Sequence, residues 1–122
     1  MKYLLLASLL LIAWLLLPAR RLSAPSHLLI NEAQWTVRYV DEFPTDPELM
    51  GWTDVVRHEV LLRRGMCIEQ ERDTLWHELH HAFMGAEFSD VKLNGHQMIY
   101  LMTPEELHIM RDNPQLVSYL TK

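Results

Sequence analysis

From Gln34 to Val40 the side chains alternate, with Trp35, Val37 and Tyr39 set against Thr36 and Arg38. A period of two places the first set on one face of an extended ladder and predicts a half-buried strand. Phe43-Pro44-Thr45-Asp46-Pro47 reads as a loop, since two prolines and an aspartate do not continue a ladder. A second alternating run covers Val55 to Arg63, where Val56, His58, Val60 and Leu62 oppose Arg57, Glu59 and Leu61, and Arg64-Gly65 closes it. Leu28 to Asn31 offers a third short strand. These runs predict a small antiparallel sheet.

The period then changes. Between Glu69 and Met84 the residues Leu75, Trp76, Leu79, Ala82 and Phe83 fall on a helical arc about 120° wide, broad enough to face a core. Glu69 and Glu71 stand in the first turn, where the helix dipole favours acids, and Gly85 is a stop signal. Asn94, with Gln97 three residues on, has the form of a capping box and predicts a second helix. Thr103-Pro104-Glu105-Glu106 repeats that start signal, and Asn113-Pro114 opens a last short helix ending at Leu120. A sheet followed by a run of helices is an α+β plan, with the sheet packed on the Glu69–Met84 helix.

The amino-terminal stretch has another character. Tyr3 to Leu17 is free of charge and mostly leucine, with Lys2 before it and Arg20 and Arg21 after it. Its length lies between a signal-peptide core and a spanning helix. The basic Arg20-Arg21 pair and Pro25 make poor cleavage signals, so a short uncleaved hydrophobic helix anchoring the chain to a membrane is the favoured reading, with export by a cleaved signal peptide second. Flanking positive charge on both sides leaves the orientation open. The chain thus divides into an anchor or signal segment at 1–18, a linker at 19–26 and one folded domain at 27–122.

Composition narrows the function. At 49% hydrophobic and 22% charged the chain is globular rather than disordered. Without the three basic residues around the leucine run, eight Lys and Arg face sixteen Asp and Glu, a net −8. So acidic a body argues against nucleic acid, which needs a basic footprint, and against docking on anionic lipid through the folded surface. The single cysteine, Cys67, can form no intramolecular disulfide and reads as a small buried apolar residue.

The chemistry concentrates in His77-Glu78-Leu79-His80-His81, which satisfies H-E-x-x-H. Four residues apart on a helix, His77 and His81 lie within about 40° of each other, so both imidazoles can reach one metal ion. They stand opposite the apolar arc, which gives the helix one core side and one ligating side. Glu78 is beside the pair but turned from the line joining them, a position that suits a base acting on zinc-activated water rather than a ligand. His80 sits on the flank and is read as a supporting or exposed residue.

A catalytic zinc keeps three protein ligands and one open position. The longer H-E-x-x-H-x-x-G-x-x-H pattern is excluded, because Met84 and Glu87 stand where it requires Gly and His. The candidates for the third ligand are His96, Glu87, Asp90, Glu105, Glu106 and His108, with His96 preferred because its helix must fold back over the first. Tyr100, one turn beyond His96, could donate to an oxyanion but is more readily a core tyrosine. The strand before the helix could pair with extended substrate backbone.

Trp52 to Leu120 resembles the minimal zincin-type metallopeptidases of bacteria and phages that include ImmA/IrrE-like domains. The resemblance rests on Glu59-Val-Leu-Leu-Arg63, Thr74-Leu-Trp-His-Glu-Leu-His-His-Ala-Phe83 and His96 leading to Arg111-Asp-Asn-Pro114. It implies His77 and His81 as zinc ligands, Glu78 as general base, and a third ligand on the next helix, often a glutamate in that group. The function expected is hydrolysis of peptide bonds in a protein or peptide substrate. The rival readings are a zinc-binding regulatory module without turnover and a membrane-anchored interaction protein without metal.

Overall fold

The structure is a computed structural model that describes residues 22–85 and 94–122. The predicted anchor, and with it Glu87 and Asp90, lie outside the described residues. Among the described residues no helix is long and apolar enough to cross a membrane.

The order is β1 (His27–Ile30), β2 (Ala33–Val40), β3 (Gly51–Asp54), β4 (Glu59–Arg63), α1 (Ile68–Met84), α2 (Gly95–Asp112) and α3 (Pro114–Thr121). The α+β class agrees with the sequence. Alternation places Leu28, Ile30, Trp35, Val37, Val60 and Leu62 on one sheet face, all buried. That face meets Leu75, Leu79, Ala82 and Phe83 of α1 together with Ile109, Leu116 and Tyr119 from the later helices. Asn31 and Glu32, with φ of 49° and 64°, make the two-residue turn joining β1 to β2. Positive φ at both turn positions matches the twist of the flanking strands.

The sheet is mixed, not antiparallel as the sequence led us to expect. Its order is β1-β2-β4-β3, and β2 pairs with β4 in parallel, Val37 opposite Val60 and Tyr39 opposite Leu62. The reason is a strand that alternation did not reveal. The Val55–Arg63 run is cut by a turn at Val55–His58, held by the Asp54 carboxylate accepting the Arg57 N–H at 2.9 Å and by His58 at φ 53°. Gly51–Asp54 on the near side of that turn is β3, antiparallel to β4. The chain therefore leaves β2, crosses one strand position in the Pro44/Pro47 loop, returns along the sheet edge, and inserts β4 between.

The helices depart from expectation in two places. The capping box forms, Asn94 Oδ1 accepting from Gln97 N–H at 2.9 Å and Gln97 Oε1 accepting from Asn94 N–H at 3.1 Å. No second start follows it, because α2 runs through Thr103-Pro104 without a break. Proline removes only the bond to the Tyr100 carbonyl, on an exposed stretch where water can replace it, and the Thr103 hydroxyl donates to Ile99 C=O at 2.7 Å. Cys67 is exposed, not buried, because it is the N-cap residue of α1 and stands outside the helix's apolar arc.

Two buried polar groups lock the layers together. Asn113, 1% exposed between α2 and α3, accepts the Leu29 N–H at 2.8 Å and donates to the carbonyls of Leu29 at 2.7 Å and Ile109 at 2.8 Å. Its amide thus serves as a strand partner for the outer edge of β1. Glu71 of α1, 2% exposed, accepts from Tyr39 Oη at 3.0 Å and from the hydroxyl of Tyr119. Burial, and then the Glu71 carboxylate, push the Tyr119 hydroxyl far above its ordinary titration range.

Asn113→Ala leaves a strand N–H and two carbonyls without partners and is expected to cost about 2–3 kcal/mol in urea unfolding at neutral pH. A second expectation concerns pH. The fold favours the protonated form of Tyr119, so its contribution is complete below the unfolded tyrosine pKa of about 10 and declines as pH rises beyond it. Unfolding free energy should fall more steeply between pH 9.5 and 11 in the parent than in Tyr119→Phe; equal slopes would refute the assignment.

Candidate metal and catalytic site

The site begins with how α1 is rotated. Its buried residues are Glu71, Leu75, Glu78, Leu79, Ala82 and Phe83, whereas Trp76 is only half-buried. The buried arc is turned by about 30° from the purely apolar one, at 100° per residue, and the turn brings both glutamates inward. Room for Glu78 comes from β3. A Cβ on Gly51 would lie 2.8 Å from Thr74 Cγ2, 2.9 Å from Glu78 Cγ and 3.1 Å from Glu78 Oε1, so only glycine lets the strand approach this closely. Thr53, two residues on, has its hydroxyl 2.6 Å from Glu78 Oε2 and 2.9 Å from the Glu78 carbonyl. It therefore donates to a carboxylate that is 7% exposed. Neither Gly51 nor Thr53 carried a signal in the sequence, since the strand holding them was not legible.

The same rotation leaves His77 and His81 exposed on the outer face. Their Nε2 atoms are 3.2 Å apart, with the rings inclined at 74°. Two nitrogens each about 2.05 Å from a tetrahedral zinc ion would be about 3.3 Å apart. In type and spacing the pair fits two ligands of such an ion.

His80 is fully engaged elsewhere. Its Nδ1 is 2.7 Å from the Trp76 carbonyl and its Nε2 is 2.8 Å from Glu106 Oε1. Both ring nitrogens are thus taken up by contacts within the fold, on the flank of the helix. The contact also ties α2 to α1.

The third-ligand candidates among the described residues are scattered. His96 stands exposed in the first turn of α2, its ring 6.3 Å from that of Tyr100, which is itself 76% exposed and no core residue. Glu106 is held by His80. Glu105 and His108 line a different hollow, with Phe83 and Ile109, that shares no residue with the groove at His77 and His81. Among the described residues no set of three His, Cys, Asp or Glu is arranged to hold a metal, so the structure does not gather His96 with the histidine pair.

Two grooves flank the pair. One lies between α1 and α2, and the other runs between β3 and α1, where Leu49, Met50 and Gly51 face Thr74, His77 and Glu78. No protein-family model, no curated protein and no solved structure matches this chain.

Gly51→Ala must push the strand from α1 or displace Glu78 and Thr74. It is expected to lower unfolding free energy by about 1–3 kcal/mol, as overpacking does. Unchanged stability in guanidinium titration would show that β3 and α1 do not depend on this approach.

Proposed function

We propose that this chain is a zinc-dependent metallopeptidase that hydrolyses peptide bonds in a protein segment, with His77 and His81 as metal ligands and Glu78 as general base. One observation carries the reading: a histidine pair with Nε2 atoms 3.2 Å apart on the open face of α1, with the buried carboxylate of Glu78, next to His77 in the sequence, lining the adjoining groove. A bound zinc ion supplies Lewis acidity and brings the pKa of a water towards neutrality. Glu78 lines the groove that His77 also lines, which supports its carboxylate as the group that takes a proton from water and returns it to the departing amine. Thr53 holds one carboxylate oxygen, which fixes the direction in which the other points.

The sheet supports an extended peptide as the substrate. β4 is paired on both sides, by β2 and β3, so it has no free edge for a substrate, contrary to the role its position before the helix first invited. β3 is an edge strand and borders the groove containing Glu78. An extended peptide can add there through main-chain hydrogen bonds. The apolar amino-terminal segment would hold this activity at a membrane.

Purified protein should bind one zinc ion per chain, and His77→Ala or His81→Ala should lose it. Glu78→Gln should retain zinc and lower peptide hydrolysis by about 100-fold or more, the usual worth of a positioned base. Equal cleavage by the parent and Glu78→Gln would remove Glu78 from the chemistry. Zinc binding with no cleavage by either would make the chain a metal-binding module. Zinc affinity after single replacement of His96, Glu87 or Asp90 identifies the third ligand, and unchanged affinity in His96→Ala dismisses that residue.

A further inference from the structure

The grooves on either side of the histidine pair differ in chemistry. The one between α1 and α2, about 660 Å³, is lined by Trp76, Met84, Met98 and Met102, with His77 and His81 beside them. Methionine is unbranched and adapts to irregular shapes, so a wall of three methionines and a tryptophan suits large apolar side chains of differing outline. Met98 is 41% exposed, apolar surface left uncovered at the mouth of the groove. The groove beside β3, about 390 Å³, accommodates backbone and is bordered by Leu49 and Met50. Asp73 and His77 line both grooves and mark where they meet. Asp73 is exposed and has no hydrogen bond or ion pair among the described residues. An uncompensated carboxylate one helical turn from His77, on a body rich in acids, favours a cation at the junction.

We infer that the peptide segment accepted here presents a bulky apolar side chain, such as Leu, Met or Phe, to the α1–α2 groove, and a basic side chain next to it to Asp73. This specificity rests on the peptidase reading for its biological role, but the binding preference is measured apart from turnover. Peptides of one length, with a central Leu-Lys, Ala-Lys, Leu-Ala or Leu-Asp pair, are titrated by calorimetry into the full chain carrying Glu78→Gln in the presence of zinc. Leu-Lys should bind about 10-fold or more tighter than Ala-Lys, the usual scale of hydrophobic-pocket discrimination. It should bind about two- to fivefold tighter than Leu-Ala, the worth of an exposed ion pair, with Leu-Asp weakest.

Met98→Glu, at an exposed position that the core does not use, should abolish the first preference and spare the second. Asp73→Asn should do the reverse. Equal affinity for the Leu and Ala peptides, failure of all four to bind, or a preference untouched by both variants would overturn the inference. Parallel cleavage by the parent keeps the two ideas distinct. Selective binding without cleavage upholds the groove assignment and defeats hydrolysis, whereas cleavage without selective binding does the opposite.

Discussion

Glu71 is a carboxylate almost removed from water, and hydroxyls from β2 and α3 converge on it. Burying such a charge is costly unless donors surround it, so the three elements that meet there are not free to rotate independently. Seven residues on, nearly two turns of the same helix, Glu78 is held inward by Thr53. Two anchored carboxylates on one helix face set the rotation of α1 about its axis. The leucines alone would accept a range of angles, because apolar burial has no direction. With the rotation fixed, His77 and His81 must face outward and Glu78 must lie at the boundary between core and groove. The site is a consequence of how acids are buried in the core.

The two edges of the sheet are treated differently, and the contrast matters for the proposed activity. At β1 the Asn113 side chain supplies both a donor and an acceptor to Leu29, which satisfies that part of the edge from within the molecule. At β3 no further strand pairs among the described residues, and the edge borders the groove of Glu78. Gly51 brings that edge against α1. One edge is closed by a side chain from the far end of the chain, and the other is left unpaired among the described residues, beside His77 and Glu78.

Much of this was legible in the residues themselves. The alternation at Trp35, Val37 and Tyr39 gave β2, the 3.6-residue period gave α1, and the Asn94/Gln97 pair gave the start of α2. The spacing of His77 and His81 gave the pair. What escaped depended on long-range contacts. β3 is four residues long with a glycine, and alternation runs on through the turn at Val55–His58, so only pairing with β4 reveals it. Once β3 is unseen, β2 and β4 look like neighbours in a hairpin, and the parallel pairing is missed. Thr103-Pro104 carries a valid start signal that an already formed helix simply absorbs. The sequence expectation for His96 needs the first turn of α2 to lie over the histidine pair, but that turn is exposed and α2 meets α1 through the later residue Glu106.

Pro104 divides α2 into unequal halves. From Gly95 to Leu101 every residue is exposed, whereas the half beyond the proline contains Ile109 and the Glu106 contact. The absent N–H at Pro104 leaves the ladder one bond short between the halves. Opening of the first half therefore ruptures few tertiary contacts, and the anchored half blocks its spread towards the carboxyl end. Amide hydrogens of the first half, and those of the turn after Pro104 that bond back to its carbonyls, would exchange through local fraying, and those nearer the carboxyl end only with larger openings. Met98 and Met102 ride on this less anchored half, so the width of the groove they line depends on local opening there, whereas His77 and His81 both stand on α1.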